Sequence, residues 1–224
     1  MIISDPFGSA AGAGMDKVRF TIANNYVRNP TSTRPTSTGI VIKTMSANGA
    51  SIDDWSGSKF TATENVLSSV IINPSSFVAG DYPVTYQFTI RTPYTVEPNA
   101  FIYVKFPTGD LYVYDTSIVA DKCLAIATLS QSNIRCSARQ TEITVTKAFP
   151  SGTCACLGDI TFSVGGIMNP RSLKPTQTFT VTIYTSDNYF IYSKKTGITI
   201  KMTEPDRLTT LSISQVSSQN GAKD

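Results

Sequence analysis

The stretch Asp159 to Thr185, DITFSVGGIMNPRSLKPTQTFTVTIYT, occurs twice in this 224-residue chain. Its imperfect second copy, KVRFTIANNYVRNPTSTRPTSTGIVIKT, lies near the N-terminus at Lys17 to Thr44. A repeat of this kind predicts that both segments adopt one structure and that the chain is built from modules. The matching residues lie 140 positions apart and include Asn29 and Asn169, Pro30 and Pro170, Ser32 and Ser172, Pro35 and Pro175, Thr36 and Thr176, Thr38 and Thr178, and Val41 and Val181.

The correspondence continues beyond this stretch in both directions. Thr63 with Thr203 and Glu64 with Glu204 keep the same spacing. Further matches, with small changes in spacing, are Phe20 with Phe162 and Leu67 with Leu208. These spacings indicate that the repeat unit is about 140 residues long. Residues 1–65 are then the C-terminal half of a preceding unit, 66–207 a complete unit, and 208–224 the first strand of a following unit.

Units interrupted in this way have a physical consequence. Half of a β-sandwich exposes unpaired strand edges and one apolar sheet face, and both favour pairing with another chain. A contact of this kind that does not close on itself generates an open filament. The repeat therefore predicts an open polymer in which the partners are identical chains or neighbouring repeat units.

Composition narrows the class of protein. Only 16% of the residues are charged, and Thr, Ser and Ile are the commonest residues, which is typical of an extracellular or cell-surface β protein. The net charge of +3 is too small to predict nucleic-acid binding. No apolar run reaches the length of about 18 residues that a membrane span needs.

The sequence does not predict an enzyme. It contains no histidine, which removes the commonest general base and the commonest zinc ligand. No nucleophile, base and orienting group occur together. The carboxylates are scattered over turns without a calcium-loop spacing, so we expect neither a metal nor a cofactor.

Apolar and polar residues alternate with a period of two in many short segments separated by turn residues. This pattern predicts an all-β fold of tandem immunoglobulin-like β-sandwiches, with a jelly roll or a small barrel as the alternatives. Phe101–Phe106 is nearly all apolar, which predicts a central strand covered on both faces. Gly165-Gly166 is expected to form a turn between strands. Asp121–Ser130 fits either a short helix or a loop that contains a strand.

Four cysteines lie in the complete unit, in the half that the N-terminal copy lacks: Cys123, Cys136, Cys154 and Cys156. They predict disulfides rather than a metal site, because the spacing has no pair of CxxC knuckles. A bond within Cys154-Ala155-Cys156 would be strained. We therefore favour pairing of Cys123 and Cys136 with one each of Cys154 and Cys156, in either combination.

The two proline-rich segments, Asn29–Thr38 and Asn169–Thr178, are the most specific feature of the repeat. Asn-Pro predicts a turn, and the second proline fixes φ before the next strand. Clustered hydroxyls beside proline also fit O-linked glycosylation. The candidate acceptors are Thr31, Ser32, Thr33, Thr36, Ser37, Thr38, Ser172, Thr176 and Thr178.

Aromatic residues suggest a second kind of surface. Rings on a strand face can stack on sugars or fill an interface between protomers. Tyr112 and Tyr114 are the candidate interface residues. They also permit an alternative function, an adhesin-like module on a β-sandwich stalk that binds glycans or proteins.

The pattern F-x-V-x-G-I-x-N-P-x-S-x-x-P-T-x-x-F at Phe162–Phe179, with the repeat and the dispersed cysteines, resembles tandem immunoglobulin-like units. Such units occur in very large secreted surface or fibre proteins of single-celled eukaryotes. The resemblance implies a structural protein of an extracellular filament or surface coat that assembles head to tail and carries covalent glycans.

Overall fold

The computed structural model describes residues 29–57, 59–93, 95–108, 112–113, 123–126, 134–149 and 158–204. Within these residues the chain forms strands and no helix, which confirms the all-β prediction. The strands are β1 Val41–Met45, β2 Ser51–Ser56, β3 Asn65–Val66, β4 Ser69–Pro74, β5 Val84–Thr92, β6 Phe101–Lys105, β7 Tyr112–Val113, β8 Cys123–Ile126, β9 Arg135–Arg139, β10 Glu142–Thr146, β11 Gly158–Met168, β12 Thr180–Tyr184 and β13 Phe190–Lys194.

The strands form two large sheets and one separate hairpin. The six-stranded sheet has the order β3-β13-β12-β6-β10-β9, and the second sheet has the order β4-β5-β11-β7 with β8 also paired to β11. All of these pairs are antiparallel except β13 with β3. Apolar residues of both sheets belong to one hydrophobic core, which is consistent with a β-sandwich. The separate hairpin is β1-β2.

The centre of the core is built on the long pair β5-β11. Buried and half-buried residues alternate along most of β5, as the period of a strand requires. Phe88 lies directly opposite Phe162 on β11, and the two buried rings are stacked with their centroids 5.0 Å apart. Burying each ring contributes roughly 1.5–3 kcal/mol to the free energy of unfolding.

The central position predicted for Phe101–Phe106 is confirmed. Strand β6 lies between β12 and β10, and Ile102 and Val104 are fully buried. Its other face is only half-buried and carries Phe101 and Tyr103. Both rings pack against Tyr184 of β12, with centroid distances of 5.3 Å and 6.2 Å.

Two local predictions can be compared with the structure. The turn expected at Gly165-Gly166 is wrong, because β11 runs through it and absorbs the two residues as a bulge between Val164 and Ile167. Gly166 has φ of 76°, a conformation that glycine adopts without a steric penalty. In Asp121–Ser130 the structure places a strand, β8 (Cys123–Ile126), paired with β11.

Asn169 fixes the proline-rich segment of the second copy to the sandwich. Its side chain is buried, and its amide nitrogen donates to the carbonyl oxygens of Ser76 (2.9 Å) and Val78 (2.8 Å). Its amide oxygen accepts a 2.6 Å hydrogen bond from the buried Tyr86 hydroxyl. The matching residue of the first copy, Asn29, is exposed.

We predict that Asn169→Ala lowers the free energy of unfolding by about 2–4 kcal/mol, since it removes the partner of the buried Tyr86 hydroxyl and the two part-buried hydrogen bonds to Ser76 O and Val78 O. The matched control is Asn29→Ala, which should change stability by less than about 0.5 kcal/mol because the side chain is exposed. Urea unfolding measures both values. Equal effects of the two substitutions would contradict this role for Asn169.

Candidate interaction surface

The hairpin β1-β2 has the same strand register as the hairpin β12-β13. Ile42 pairs with Trp55 as Val181 pairs with Lys194, and both hairpins have a bulge before the last pair. That last pair is Met45 with Ser51 in one hairpin and Tyr184 with Phe190 in the other. All of these counterparts lie 139 positions apart in the sequence.

The tips of the two hairpins also form the same turn. In the first, Ser46 N–H donates to Ala50 O, Gly49 N–H donates to Ser46 O, and the Ser46 hydroxyl accepts from Ala50 N–H. In the second, Thr185 and Tyr189 take the places of Ser46 and Ala50 in the same three bonds. Gly49 and Asn188 hold the position with positive φ, at 84° and 68°. This turn therefore requires a hydroxyl residue at its first position and, three residues later, a residue that tolerates positive φ.

A threonine clamp closes the base of each hairpin. In the first copy Thr36 N–H donates to Phe60 O, and Phe60 N–H donates to the Thr36 hydroxyl. Thr176 and Ile200 make the same two bonds in the second copy, at a spacing of 140 residues. Inside the hairpin the spacing is 139, so the match of Val41 with Val181 is wrong and Ile42 is the counterpart. This one-residue shift keeps apolar residues on the same strand face, which sheet pairing requires.

The two hairpins differ in what covers them. The apolar side chains of β12-β13 and its base lie in the core, whereas their counterparts in the first copy are exposed to solvent. The pairs, with exposed fractions, are Ile40 (38%) and Phe179 (0%), Ile42 (40%) and Val181 (0%), Ile52 (66%) and Ile191 (0%), and Phe60 (54%) and Ile200 (5%). We call Ile40, Ile42, Ile52 and Phe60 the open face.

The cover over β12-β13 comes from the rest of the complete unit. Strand β6 pairs with β12 so that Val104 lies opposite Val181. Among the described strands, β1 pairs with β2 alone, so its other edge is free. The open face therefore combines exposed apolar side chains with an unpaired strand edge, which is a surface suited to another β-strand.

Trp55 lies beside this surface. It is 54% exposed and pairs with Ile42 across the hairpin. Its indole ring packs on Gly57, where a Cβ atom would lie 1.7 Å from the ring, so a larger residue at this position would displace the indole. Trp55 is the sole tryptophan of the sequence, which makes its fluorescence a specific probe of this hairpin.

The proline-rich segment of the first copy contacts the tip of β12-β13. Thr33 N–H donates to Phe190 O (2.8 Å), and the Thr33 hydroxyl accepts from Phe190 N–H (3.0 Å). The Arg34 guanidinium donates to Asp187 Oδ1 at 2.6 Å and lies 5.6 Å from the centroid of the Tyr189 ring. We use the name joint for this contact together with the ion pair between Glu64 and Lys195, which is described next.

A second part of the joint follows the chain into the sandwich. The Glu64 carboxylate accepts a 2.6 Å hydrogen bond from Lys195, which follows β13. Strand β3 comes directly after Glu64 and pairs parallel with β13, with Asn65 opposite Tyr192. The first copy is thus attached to one hairpin, β12-β13, at its tip and along its edge.

The predicted glycosylation sites lie in different environments. Ser32 and Thr176 are buried, while Thr31, Ser37 and Thr38 are exposed. Several of the hydroxyls are hydrogen-bonded. The Thr33 hydroxyl accepts from Phe190 N–H in the joint, and the hydroxyls of Thr36 and Thr176 accept from the N–H groups of Phe60 and Ile200 in the clamps. The Thr31 hydroxyl donates to the Glu97 carboxylate, and the Thr178 hydroxyl accepts from Ile198 N–H. Ser172 is half-buried, and its hydroxyl accepts from Lys174 N–H.

Other predicted site residues are only partly located. Tyr112 lies on β7 opposite Met168, and Tyr114 is outside the described residues. Cys123 lies on β8 and Cys136 is buried on β9, whereas Cys154 and Cys156 are outside the described residues. The disulfide pairing stays a prediction.

Sequence analysis did not identify Ile52 and Trp55 as part of a surface. The reason is that β2 reads SIDDWS, in which two acidic residues interrupt the apolar alternation. The repeat itself contained the signal, because Ile52 and the buried Ile191 are counterparts at the spacing of 139.

The shifted pKa values of Tyr86 and Asp159 have structural causes. Burial raises the pKa of the Tyr86 hydroxyl, which stays neutral and donates to Asn169. The Arg91 guanidinium lowers the pKa of the Asp159 carboxyl through a 2.7 Å hydrogen bond on the protein surface.

Within the described ranges no cluster of three metal-ligating side chains occurs. No helix in this part of the chain has the length and hydropathy needed to cross a bilayer.

The Arg34–Asp187 pair is half-exposed, so we expect it to orient the joint more than to stabilise it. In a double-mutant cycle with Arg34→Gln and Asp187→Asn, the coupling energy should be about 0.2–1 kcal/mol and should fall as salt is added. Urea unfolding of the four proteins gives this energy. A coupling above about 2 kcal/mol that is insensitive to salt would contradict the expectation.

No protein-family model and no curated protein matches this sequence.

Proposed function

We propose that this chain is a structural unit of an extracellular filament or surface coat, in which units follow one another head to tail. Each link forms when a neighbouring unit completes the open face of the next. The observation that supports this proposal is the pair of equivalent hairpins: β1-β2 copies β12-β13 in register, bulge and turn, yet its apolar residues are exposed.

The equivalence defines what must cover the open face. The cover has the chemistry of residues 66–157 of the complete unit, which include strand β6. A strand like β6 lies antiparallel along the free edge of β1, with its counterpart of Val104 opposite Ile42 and its counterpart of Tyr103 opposite Lys43. The cover accommodates a carboxylate, because Asp53 stands where the second copy has the buried Tyr192.

The open face can contribute to the free energy of a specific contact in two ways. Burying the area that remains exposed on its side chains contributes roughly 1 kcal/mol each, and pairing of the β1 edge adds backbone hydrogen bonds. Association costs translational and rotational entropy, which offsets part of this gain. Links between units within one polypeptide avoid most of that cost, since the neighbour is tethered.

Glycans and disulfides complete the proposal. In this arrangement O-linked sugars occupy the exposed hydroxyls of Thr31, Ser37 and Thr38, because buried hydroxyls are not accessible to a transferase. Disulfides among the four cysteines stabilise the complete unit in an oxidising compartment.

An adhesin-like binding module is the second candidate, and one observation favours it. Phe101, Tyr103, Tyr184 and Phe190 form a half-buried aromatic cluster on one face of the six-stranded sheet. Aromatic faces of this kind can stack on sugar rings. Binding on a glycan array that is lost in Tyr103→Ala would favour this function over the structural one.

The decisive experiment adds a half-unit before the first copy. A copy of residues 66–157 is inserted between Met15 and Asp16, which places it in the register of the repeat. We predict that the emission of Trp55 shifts to shorter wavelength and that acrylamide quenching falls roughly twofold, because the exposed indole becomes half-buried like its counterpart Lys194. The inserted copy contains no tryptophan, so the signal reports on β2 alone.

The matched control carries Ile102→Asp and Val104→Asp in the inserted copy only. These charges disrupt the strand that should lie on β1, so Trp55 should remain as accessible as in the original chain. Identical quenching in the original and the extended chains, with the insert folded by circular dichroism, would refute the proposed complementation.

A second prediction concerns the original 224-residue chain. Its open face should cause weak, concentration-dependent self-association, and Ile52→Asp should raise the dissociation constant at least about tenfold by placing a charge on that face. Ile71→Asp is the control, since Ile71 is similarly exposed (50%) but lies on β4. Sedimentation velocity measures both. An equal effect of the two substitutions would show that the association is not specific to the open face.

A further inference from the structure

The proline-rich segment of the second copy borders a groove. The groove has a volume of about 560 Å³ and is lined by Leu173 and by Lys201–Glu204. Leu173 is 39% exposed, and Lys174 beside it is also exposed. This surface follows the threonine clamp of the second copy, in which Thr176 binds Ile200.

The counterpart of this groove in the first copy is occupied. Its lining residues correspond, at the spacing of 140, to Thr33 and to residues 61–64. Thr33 binds Phe190 through two hydrogen bonds, and Glu64 binds Lys195. The equivalent surface therefore holds the tip and the end of the hairpin β12-β13, which belongs to the unit that follows it.

The charges that make this contact recur in the second copy. Arg34, which binds Asp187, corresponds to Lys174, and Glu64 corresponds to Glu204. The burial differs between the two copies: Ser32 is buried in the first copy, where the hairpin tip lies against this segment, whereas its counterpart Ser172 is half-buried.

We propose that the groove formed by Leu173, Lys174 and Lys201–Glu204 binds the β12-β13 hairpin of a following unit. Leu173 N–H donates to the carbonyl oxygen of that unit's counterpart of Phe190. Lys174 pairs with the counterpart of Asp187, and Glu204 pairs with the counterpart of Lys195. The proposal rests on the proposed function in one respect, namely that complete units follow one another.

The partner is specific to one kind of hairpin tip. The tip of β12-β13 presents a carboxylate, Asp187, and a ring, Tyr189, to the cation of the joint. The tip of β1-β2 has Asn48 and Ala50 at these positions, so it offers neither an anion nor a ring to Lys174. The groove therefore discriminates between the two tips, and this gives the array a direction.

The test is a tandem duplication of residues 65–204, in which the copy is inserted directly after Glu204. This junction reproduces Glu64–Asn65 and retains every residue of the original chain. The amide of Leu173 should exchange at least about tenfold more slowly than in the original chain, because it gains a hydrogen bond within a folded joint. Hydrogen exchange followed by NMR measures this amide individually.

Charge variants then identify the contact. Lys174→Asp should abolish the protection of Leu173, and adding Asp187→Lys in the inserted copy should restore it. The control Gln177→Glu also makes the same loop more acidic, but its counterpart Ser37 remains exposed in the occupied joint, so protection should persist.

Two results would overturn the proposal: an inserted unit that folds while Leu173 exchanges as before, or an inserted unit that fails to fold beside this groove. Neither result depends on the Trp55 measurement, which uses an insertion at the other end of the chain. If Trp55 is not shielded in the first extended chain but Leu173 is protected in the second, the complementation is refuted and the proposal for the joint is supported.

Discussion

A two-stranded hairpin is marginally stable in water unless another layer covers its apolar face. This constraint applies to both hairpins of the structure. The hairpin β12-β13 satisfies it within the sandwich, since β6 pairs with its edge and the opposite sheet covers its face. The hairpin β1-β2 has the same geometry without this cover in the described part of the chain. The difference lies in the surroundings of the two hairpins and not in their own folding.

In the array that we propose, the cover and the joint would make different contributions. Apolar burial on the open face supplies free energy but little direction, because the hydrophobic effect is not directional. The joint consists of hydrogen bonds and half-exposed ion pairs, which contribute little free energy and depend on geometry. Together they would fix the order and the rotation of successive units. This division is common at protein interfaces, where charges mainly set specificity.

Asn169 and Asn29 are equivalent residues of the repeat in different environments. Asn169 is buried and joins the proline-rich segment to the loop before β5 through Ser76 and Val78. Asn29 occupies the same place in the repeat and is exposed. If a preceding half-unit covers the first copy, it brings the counterparts of Ser76, Val78 and Tyr86 to Asn29, and the polar side chain is then required there as well.

The sequence alone determined the all-β class, the central position of β6 and the equivalence of Asn29–Glu64 with Asn169–Glu204, because alternation and repetition are local properties that survive without coordinates. It placed the hairpin match one residue away, since Val41 and Val181 are identical whereas Ile42 and Val181 are merely similar. It also made a turn of Gly165-Gly166, because a bulge and a turn need the same positive φ. Only the tertiary structure decided which copy is buried, which proline-rich segment meets a hairpin tip, and that Ile52, Trp55 and Lys174 lie on surfaces. Burial and contact depend on residues distant in sequence, such as Val104 against Val181 and Thr33 against Phe190, and no local pattern encodes those distances.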